Sequence, residues 1–205
     1  MINMSTLPEH HFCTFVKQIA SQNHTKSILL NLQQRLKLNI NILLFCCWVA
    51  QTGHKQFNKK DIQNVSTAIL PWHEQIVLAL KKLRKYLQQN TTKPISRKIS
   101  NLILEKEIIA NQIEQLILAD TIMRPSYRRS ITQKFTDACK NITVYCKESR
   151  AGMDQQDIET IKQLLSQIFP TIDHKQISAH WGTSLTKNKK HNVPSYTQFE
   201  LDEFL

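Results

Sequence analysis

The feature that most constrains this chain is the run NINILLFCCWVA at residues 39–50, which is apolar along almost its whole length. A membrane-spanning helix needs about 20 apolar residues, whereas this run is shorter even with Leu38 and contains Asn39 and Asn41. A helix that is apolar on all sides is buried inside a protein. We therefore predict a buried helix that begins at one of these Asn residues as N-cap and ends at Gly53 in the left-handed conformation.

The two adjacent cysteines of this run, Cys46 and Cys47, indicate core packing rather than redox or metal chemistry. Neighbouring side chains on a helix point about 100° apart, and vicinal thiols form no unstrained disulfide in regular structure. The nearest histidine, His54, lies beyond Gly53 and has no second histidine in register for a metal. The chain has 5 cysteines, an odd number without CxxC spacing, so we expect a reducing, cytoplasmic environment.

The rest of the chain predicts further helices. Only 3 glycines are present, too few for many tight hairpins, and apolar residues recur at i, i+3 and i+4. The predicted fold class is therefore all-α, a multi-helix bundle wrapped around the central helix at about 39–51. We predict a bundle core over 1–123, additional C-terminal helices packed on it over 124–173, and a mostly irregular polar tail over 174–205 with a terminal acidic and apolar segment.

The middle of the chain predicts two consecutive amphipathic helices. Pro71 is expected to end or bend a helix that starts after Asn58, and a new helix then runs to about Gln89, followed by another over 95–122. The apolar residues of the last two helices are predicted to face the core; they are Ile76, Val77, Leu80, Leu83, Leu87, Ile99, Leu102, Ile103, Ile109, Ile113, Leu116 and Ile117. The basic residues of the helix that runs to about Gln89 are interpreted as its solvent-exposed face; they are Lys81, Lys82, Arg84 and Lys85.

No sequence pattern indicates catalysis. Nucleotide-binding glycine motifs, HExxH, GxSxG and paired-cysteine motifs are all missing from the sequence. The trio Trp72, His73 and Glu74 is the only group that suggests a polar pocket, and helix capping and packing explain it more simply. We therefore predict a non-enzymatic protein with no catalytic residues, no cofactor and no metal site.

The net charge of +11 favours an acidic partner: nucleic acid, an anionic membrane surface or an acidic protein. A solvated basic surface without a dedicated partner is the simplest alternative. The segment MRPSYRRS places three arginines beside a tyrosine, and the terminal SYTQFELDEFL resembles a short docking peptide, unless it is disordered or folds back on its own chain. The candidate protein-binding residues are Arg124, Tyr127, Arg128, Arg129, Phe199, Leu201, Phe204 and Leu205.

A nucleic-acid-binding or ribosome-associated helical protein is the second interpretation of this charge. Counterion release gives almost any protein this basic some affinity for nucleic acid. However, the sequence has neither a helix-turn-helix signature with its short glycine turn nor an aromatic RNA-binding strand. Charge alone is therefore weak support.

Several segments together resemble a known family. LQQRLKLNINILLFCCWVA at 32–50, Trp72, the basic helix IVLALKKLRKYLQ at 76–88 and LILEKEIIANQIEQL at 102–116 are similar to a proteobacterial family of small helical proteins. That family is typified by an LQxR segment leading into an LLFCxW box, then a lone Trp, then a basic helix. The resemblance covers roughly residues 11–120, and most members have no assigned activity.

The Lys-, Asn- and Gln-rich background, the length and the C-terminal half are also similar to a virulence-associated adaptor of the Legionella Dot/Icm type IVB secretion system. This resemblance implies a chaperone-like subunit of the coupling complex that docks on the small acidic chaperone IcmS. IcmS and IcmW are carried by the C-terminal tail of the coupling ATPase DotL, and the complex recruits effector proteins. It also implies a cytoplasmic protein, held at the inner-membrane face through a partner and not inserted in the membrane.

Overall fold

The computed structural model describes residues 9–22, 24–54, 56–90, 94–122 and 126–181, which are all-α. The predicted fold class is confirmed. The helices are α1 (His11–Ala20), α2 (Thr25–Leu36), α3 (Ile40–Gln51), α4 (Lys59–Trp72), a π-helical turn (His73–Val77), α5 (Leu78–Asn90), α6 (Pro94–Asp120), α7 (Ile131–Glu148), α8 (Gln155–Ile168) and α9 (His174–Trp181).

Helix α3 is the centre of the molecule, as its sequence predicts. Every residue from Asn41 to Ala50 is buried, including both cysteines, which are free thiols. The side chain of Asn39 caps the helix by accepting hydrogen bonds from the backbone N–H groups of Asn41 and Ile42. This helix contributes apolar surface in all directions, and α1, α6 and α7 pack directly on it.

Gly53 ends the α3 segment with a φ of 82°. A left-handed residue at this position satisfies the last carbonyl groups of the helix; here the N–H of His54 donates to Val49 O. The backbone N–H of Tyr127 also donates to Gly53 O at 2.9 Å. A methyl group on Gly53 would lie 2.3 Å from Tyr127 O, so this close approach of two chain segments requires glycine.

The core continues into the C-terminal helices. Helix α7 packs along α3, and Tyr145 Oη accepts a 2.8 Å hydrogen bond from the backbone N–H of Asn39. Helix α8 packs on α2, where Arg35 forms ion pairs with Asp154 and Asp157 at 2.7 and 2.6 Å. One continuous cluster of buried apolar residues therefore includes α3, α7, α8 and Ile177 of α9.

Two differences from the sequence prediction concern helix ends. Pro71 neither ends nor starts a helix, because α4, the π-helical turn and α5 are continuous. A π-helical turn contains one residue more than an α-helical turn. Accordingly, the backbone N–H of Leu78, the residue after the turn, donates to His73 O. In addition, α9 forms at 174–181, inside the stretch expected to be mostly irregular, because Ile177 is buried against the core. Residues 182–205 lie outside the described part of the chain.

Candidate functional site

Helices α5 and α6 form a hairpin whose internal seam is polar. They are connected through three residues and pack on each other, so they run antiparallel. Arg84 of α5 and Glu107 of α6 form an ion pair in this seam, and their side chains are 6% and 0% exposed. Ser96 and Ser100 of α6 are also buried there. The inside of the hairpin therefore holds several buried hydrophilic side chains beside apolar ones such as Val77 and Ile103.

The outside of the same hairpin is apolar. We give the name hairpin face to five of the large apolar residues exposed on α5, α6 and the π-helical turn before them: Ile76 (37% exposed), Leu83 (49%), Ile95 (60%), Ile99 (42%) and Leu102 (56%). Tyr86 and Ile108 are also exposed on the hairpin. The sequence prediction that Ile76, Leu83, Ile99 and Leu102 point inward is wrong, and so is the assignment of Arg84 to a solvated face. The physical reason is that α5 packs chiefly on α6, so no further layer covers these side chains.

Helical geometry places the members of the hairpin face on one side. Each lies one position before a buried seam residue: Ile76 before Val77, Leu83 before Arg84, Ile95 before Ser96, Ile99 before Ser100 and Leu102 before Ile103. In an antiparallel pair, the positions that precede the seam on both helices lie on the same side, because the two chains run in opposite directions. The five side chains therefore form a two-helix apolar surface.

Positive charge surrounds this surface. In α5, and in α6 as far as Glu107, six cationic side chains are exposed or half-buried: Lys81, Lys82, Lys85, Arg97, Lys98 and Lys106. Within the same described stretch, Glu105 is the single exposed carboxylate. An apolar surface with a cationic border is complementary to a protein surface that has apolar and acidic residues.

A buried polar network joins the hairpin to the central helix. Glu114 of α6 is fully buried, and its Oε1 accepts hydrogen bonds from Asn39 and Asn41 at 2.8 and 3.0 Å. Its Oε2 lies 2.8 Å from Nδ1 of His73 in the π-helical turn. Trp72 Nε1 donates to Ala110 O at 2.8 Å. These contacts hold the base of the hairpin against the start of α3.

Electrostatics favour the ionised form of Glu114 despite its burial. Burial by itself raises the pKa of a carboxyl group, but the hydrogen bonds from His73, Asn41 and Asn39 and the charge of His73 outweigh it and lower the pKa of Glu114. The network is therefore an anion held by three side chains from two elements, the start of α3 and the π-helical turn. The sequence suggests a polar pocket at Trp72, His73 and Glu74. In the structure His73 pairs with Glu114, whereas Glu74 is exposed.

The predicted arginine cluster is only partly available. Tyr127 is 57% exposed and Arg128 is exposed. Arg129 is half-buried and pairs with the buried Asp137, its Nη1 lying 3.0 Å from Asp137 Oδ2. Arg124 lies outside the described residues, as do Phe199, Leu201, Phe204 and Leu205. A binding role for these residues stays a prediction.

The described residues offer little reactive chemistry. Among them, no group of three or more His, Cys, Asp or Glu side chains is placed to hold a metal ion. All five cysteines are buried, and burial raises the pKa of Cys46, Cys47 and Cys146, the last to about 12. No helix in the described part of the chain combines the length and apolarity needed to cross a membrane.

Comparison with known protein families gives a match over the first half of the chain. A family model described as "Protein of unknown function (DUF2390)" matches residues 11–118, from the start of α1 to near the end of α6. The matched segment includes the central helix, the polar network and the hairpin. No curated protein and no solved structure matches the chain.

Proposed function

The chain belongs to the DUF2390 family, and from that premise we propose that it is a non-enzymatic, protein-binding adaptor whose hairpin face docks an acidic partner protein. The observation that carries the proposal is the reversed polarity of the hairpin: an ion pair and serines lie inside it, while five large apolar side chains lie outside. Contiguous exposed apolar patches with polar borders are typical of protein-binding surfaces.

The polarity of the seam also supports this choice. A hairpin whose only purpose was stability would gain more by turning its isoleucines and leucines inward, since burying one such side chain contributes about 1.5–3 kcal/mol. The arrangement instead leaves Ile95, Ile99 and Leu102 available to a partner. Apolar side chains at the centre of an interface set its lifetime, while the surrounding lysines and arginines increase the association rate with an acidic protein.

The proposed setting is the coupling complex of a type IVB secretion system. It is supported by the resemblance of the chain to the Legionella virulence protein LvgA, an adaptor of the Dot/Icm system. In this proposal the acidic partner is the chaperone IcmS, carried with IcmW by the DotL tail, and effector proteins are the cargo. The chain then acts in the cytoplasm, at the inner-membrane face through these partners.

The test is calorimetric titration of the purified chain with purified IcmS. We expect binding by the wild type and a loss of at least about tenfold in affinity for the triple variant Leu83→Gln, Ile99→Gln, Leu102→Gln, because central apolar anchors each contribute more than about 1 kcal/mol. The matched control is Leu70→Gln, Ile131→Gln, which changes two apolar residues that are equally exposed but lie outside the hairpin face.

Two results would overturn the proposal at different levels. A wild-type chain that does not bind IcmS contradicts the secretion assignment. Retention of IcmS binding by the triple variant contradicts the role of the hairpin face. The chain is also titrated with a 20-base-pair RNA duplex over a range of salt concentrations; tight binding that weakens steeply with salt would favour the nucleic-acid alternative.

A further inference from the structure

Residues 195–205, SYTQFELDEFL, have a chemistry that complements the hairpin face. All 27 lysines and arginines of the chain lie before this segment, so it is purely acidic in a chain whose net charge is +11. It is also rich in large apolar side chains. The residues concerned are the apolar Phe199, Leu201, Phe204 and Leu205 and the acidic Glu200, Asp202 and Glu203.

The hairpin face offers an apolar surface with the opposite charge around it. Ile95 and Ile99 are 60% and 42% exposed. Arg97 and Lys98, which lie between these two residues in the chain, are exposed as well. Packing residues 195–205 on this face would remove apolar side chains of both parts from water and bring carboxylates close to cations. Polarity and charge therefore both favour the segment as an occupant of the face.

The chain between α9 and this segment is long enough to reach the hairpin. Helix α9, which ends at Trp181, packs on α7; α7 packs on α4, and α4 continues through the π-helical turn into α5. Two layers of packed helices separate α9 from α4 by about 20 Å. Residues 182–194 can span up to about 45 Å when extended. The hairpin face is therefore within reach of residues 195–205.

We propose that residues 195–205 dock on the hairpin face of their own chain and occupy it until a partner displaces them. The inference rests on the proposed role of that face as a docking surface. Because both parts belong to one molecule, docking is intramolecular, and even a weak contact is favoured by the high local concentration of the segment. The apparent affinity of a partner is then its intrinsic affinity multiplied by the fraction of molecules whose face is free. The segment therefore restricts docking to partners that bind the face more tightly than it does.

The test is paramagnetic relaxation in the full chain, with a nitroxide attached to the variant Ser195→Cys. All five native cysteines are buried, so the added thiol reacts far more readily than they do. We expect the nitroxide to broaden the amide signals of residues 76–102, and higher salt to reduce that broadening because it screens the opposite charges. Broadening confined to other helices would overturn the proposal.

The origin of the broadening is tested with a variant that changes no described residue. Phe199→Ser, Leu201→Ser, Phe204→Ser, which we call the segment variant, should abolish the broadening at residues 76–102, whereas Val193→Ser, a change of an apolar residue just outside the segment, should not. The triple variant of the hairpin face used above should abolish it as well. Broadening that persists in the segment variant would overturn the proposal.

A mixed sample separates docking within one chain from docking between two copies. The chain that carries the nitroxide is prepared without isotope label and is mixed with isotope-labelled chain that has no nitroxide. We expect no broadening in the mixed sample. Broadening of residues 76–102 there would show that the segment of one copy binds the face of another, which would overturn docking on its own chain.

Calorimetric titration with IcmS tests the competition. We expect the segment variant to bind IcmS at least about threefold more tightly than the wild type, which corresponds to a face occupied in about two thirds of the molecules. Equal or weaker binding by the segment variant would overturn the competition. The relaxation measurement uses no partner, so the two proposals fail separately. If neither the wild type nor the segment variant binds IcmS, the proposed partner is wrong, whereas docking of the segment is decided by the broadening at residues 76–102.

Discussion

Arg84 and Glu107 illustrate how a buried charge pair stabilises a structure only as a pair. Breaking such a pair leaves an uncompensated buried charge, which costs about 3–5 kcal/mol, whereas replacing both partners by apolar residues is often neutral. We expect Arg84→Met to lower the free energy of unfolding by about 3 kcal/mol. The double variant Arg84→Met, Glu107→Leu should recover most of that loss. Urea unfolding of the two variants measures this, and equal destabilisation by both would contradict the pairing.

Gly53 provides a second test at the residue scale. Its positive φ and the 2.3 Å approach of an added Cβ to Tyr127 O both oppose a side chain. We expect Gly53→Ala to destabilise the protein by about 1–3 kcal/mol. Gly152 is the matched control, because a Cβ there meets nothing within 4 Å. Thermal unfolding should show a clear loss for the first variant and little change for Gly152→Ala.

Glu114 should make stability depend on pH. Its pKa is lower in the folded state than in the unfolded chain, so its contribution is fully present above the unfolded value of about 4.3 and is lost as pH falls through the folded pKa. We therefore expect the wild type to be more stable than Glu114→Gln at pH 7, with the difference shrinking as the pH is lowered below about 4. A difference that is constant between pH 7 and pH 3 would contradict this.

At the scale of single elements, the sequence predicts some features well and others poorly. Local chemistry determines where α3 begins and ends, and α4 starts after Asn58 as predicted. Capping boxes of Asn58 with Asp61 and of Asp154 with Asp157 start α4 and α8. The apolar periodicity of α5 and α6 also predicts helices correctly. It does not predict which side of each helix is covered, because that depends on where the other helices lie.

The hairpin shows why the candidate site could not be found from the sequence alone. Arg84 lies among other basic residues and has the sequence pattern of a surface residue. Arg84 is buried because it forms an ion pair with Glu107. Glu107 lies on the next helix, so the sequence around Arg84 does not indicate this pairing. The one sequence feature that indicated a polar site was the trio Trp72, His73 and Glu74. The partner of His73 in the structure is Glu114, which lies 41 positions further along the chain.

The hairpin face should be dispensable for folding. Its side chains are exposed, so polar replacements there remove little buried surface, and such surface changes usually alter stability by less than about 0.5 kcal/mol. We expect the triple variant Leu83→Gln, Ile99→Gln, Leu102→Gln to unfold at nearly the wild-type urea concentration. Ile103→Gln, at the adjacent buried position, should be clearly destabilised. Similar losses in both variants would show that the hairpin face is part of the core.

At the scale of the whole molecule, a stable body carries a hairpin whose exposed apolar face is available for binding. The body is built around α3 and is closed by α7 and α8, and the chain has a net charge of +11. This charge should make association with an acidic partner faster at low salt than at high salt, with a much smaller effect on dissociation. Stopped-flow mixing at several salt concentrations separates the two rates.

The most direct measurement of the central claim is hydrogen exchange of the chain alone and saturated with IcmS. Amide exchange reports local opening, and α5 is supported chiefly by α6, so the outer hairpin should exchange faster than α3 in the free protein. We expect binding to slow exchange most between residues 76 and 102. Protection confined to other segments, with the hairpin unchanged, would contradict the assignment of the hairpin face as the docking surface.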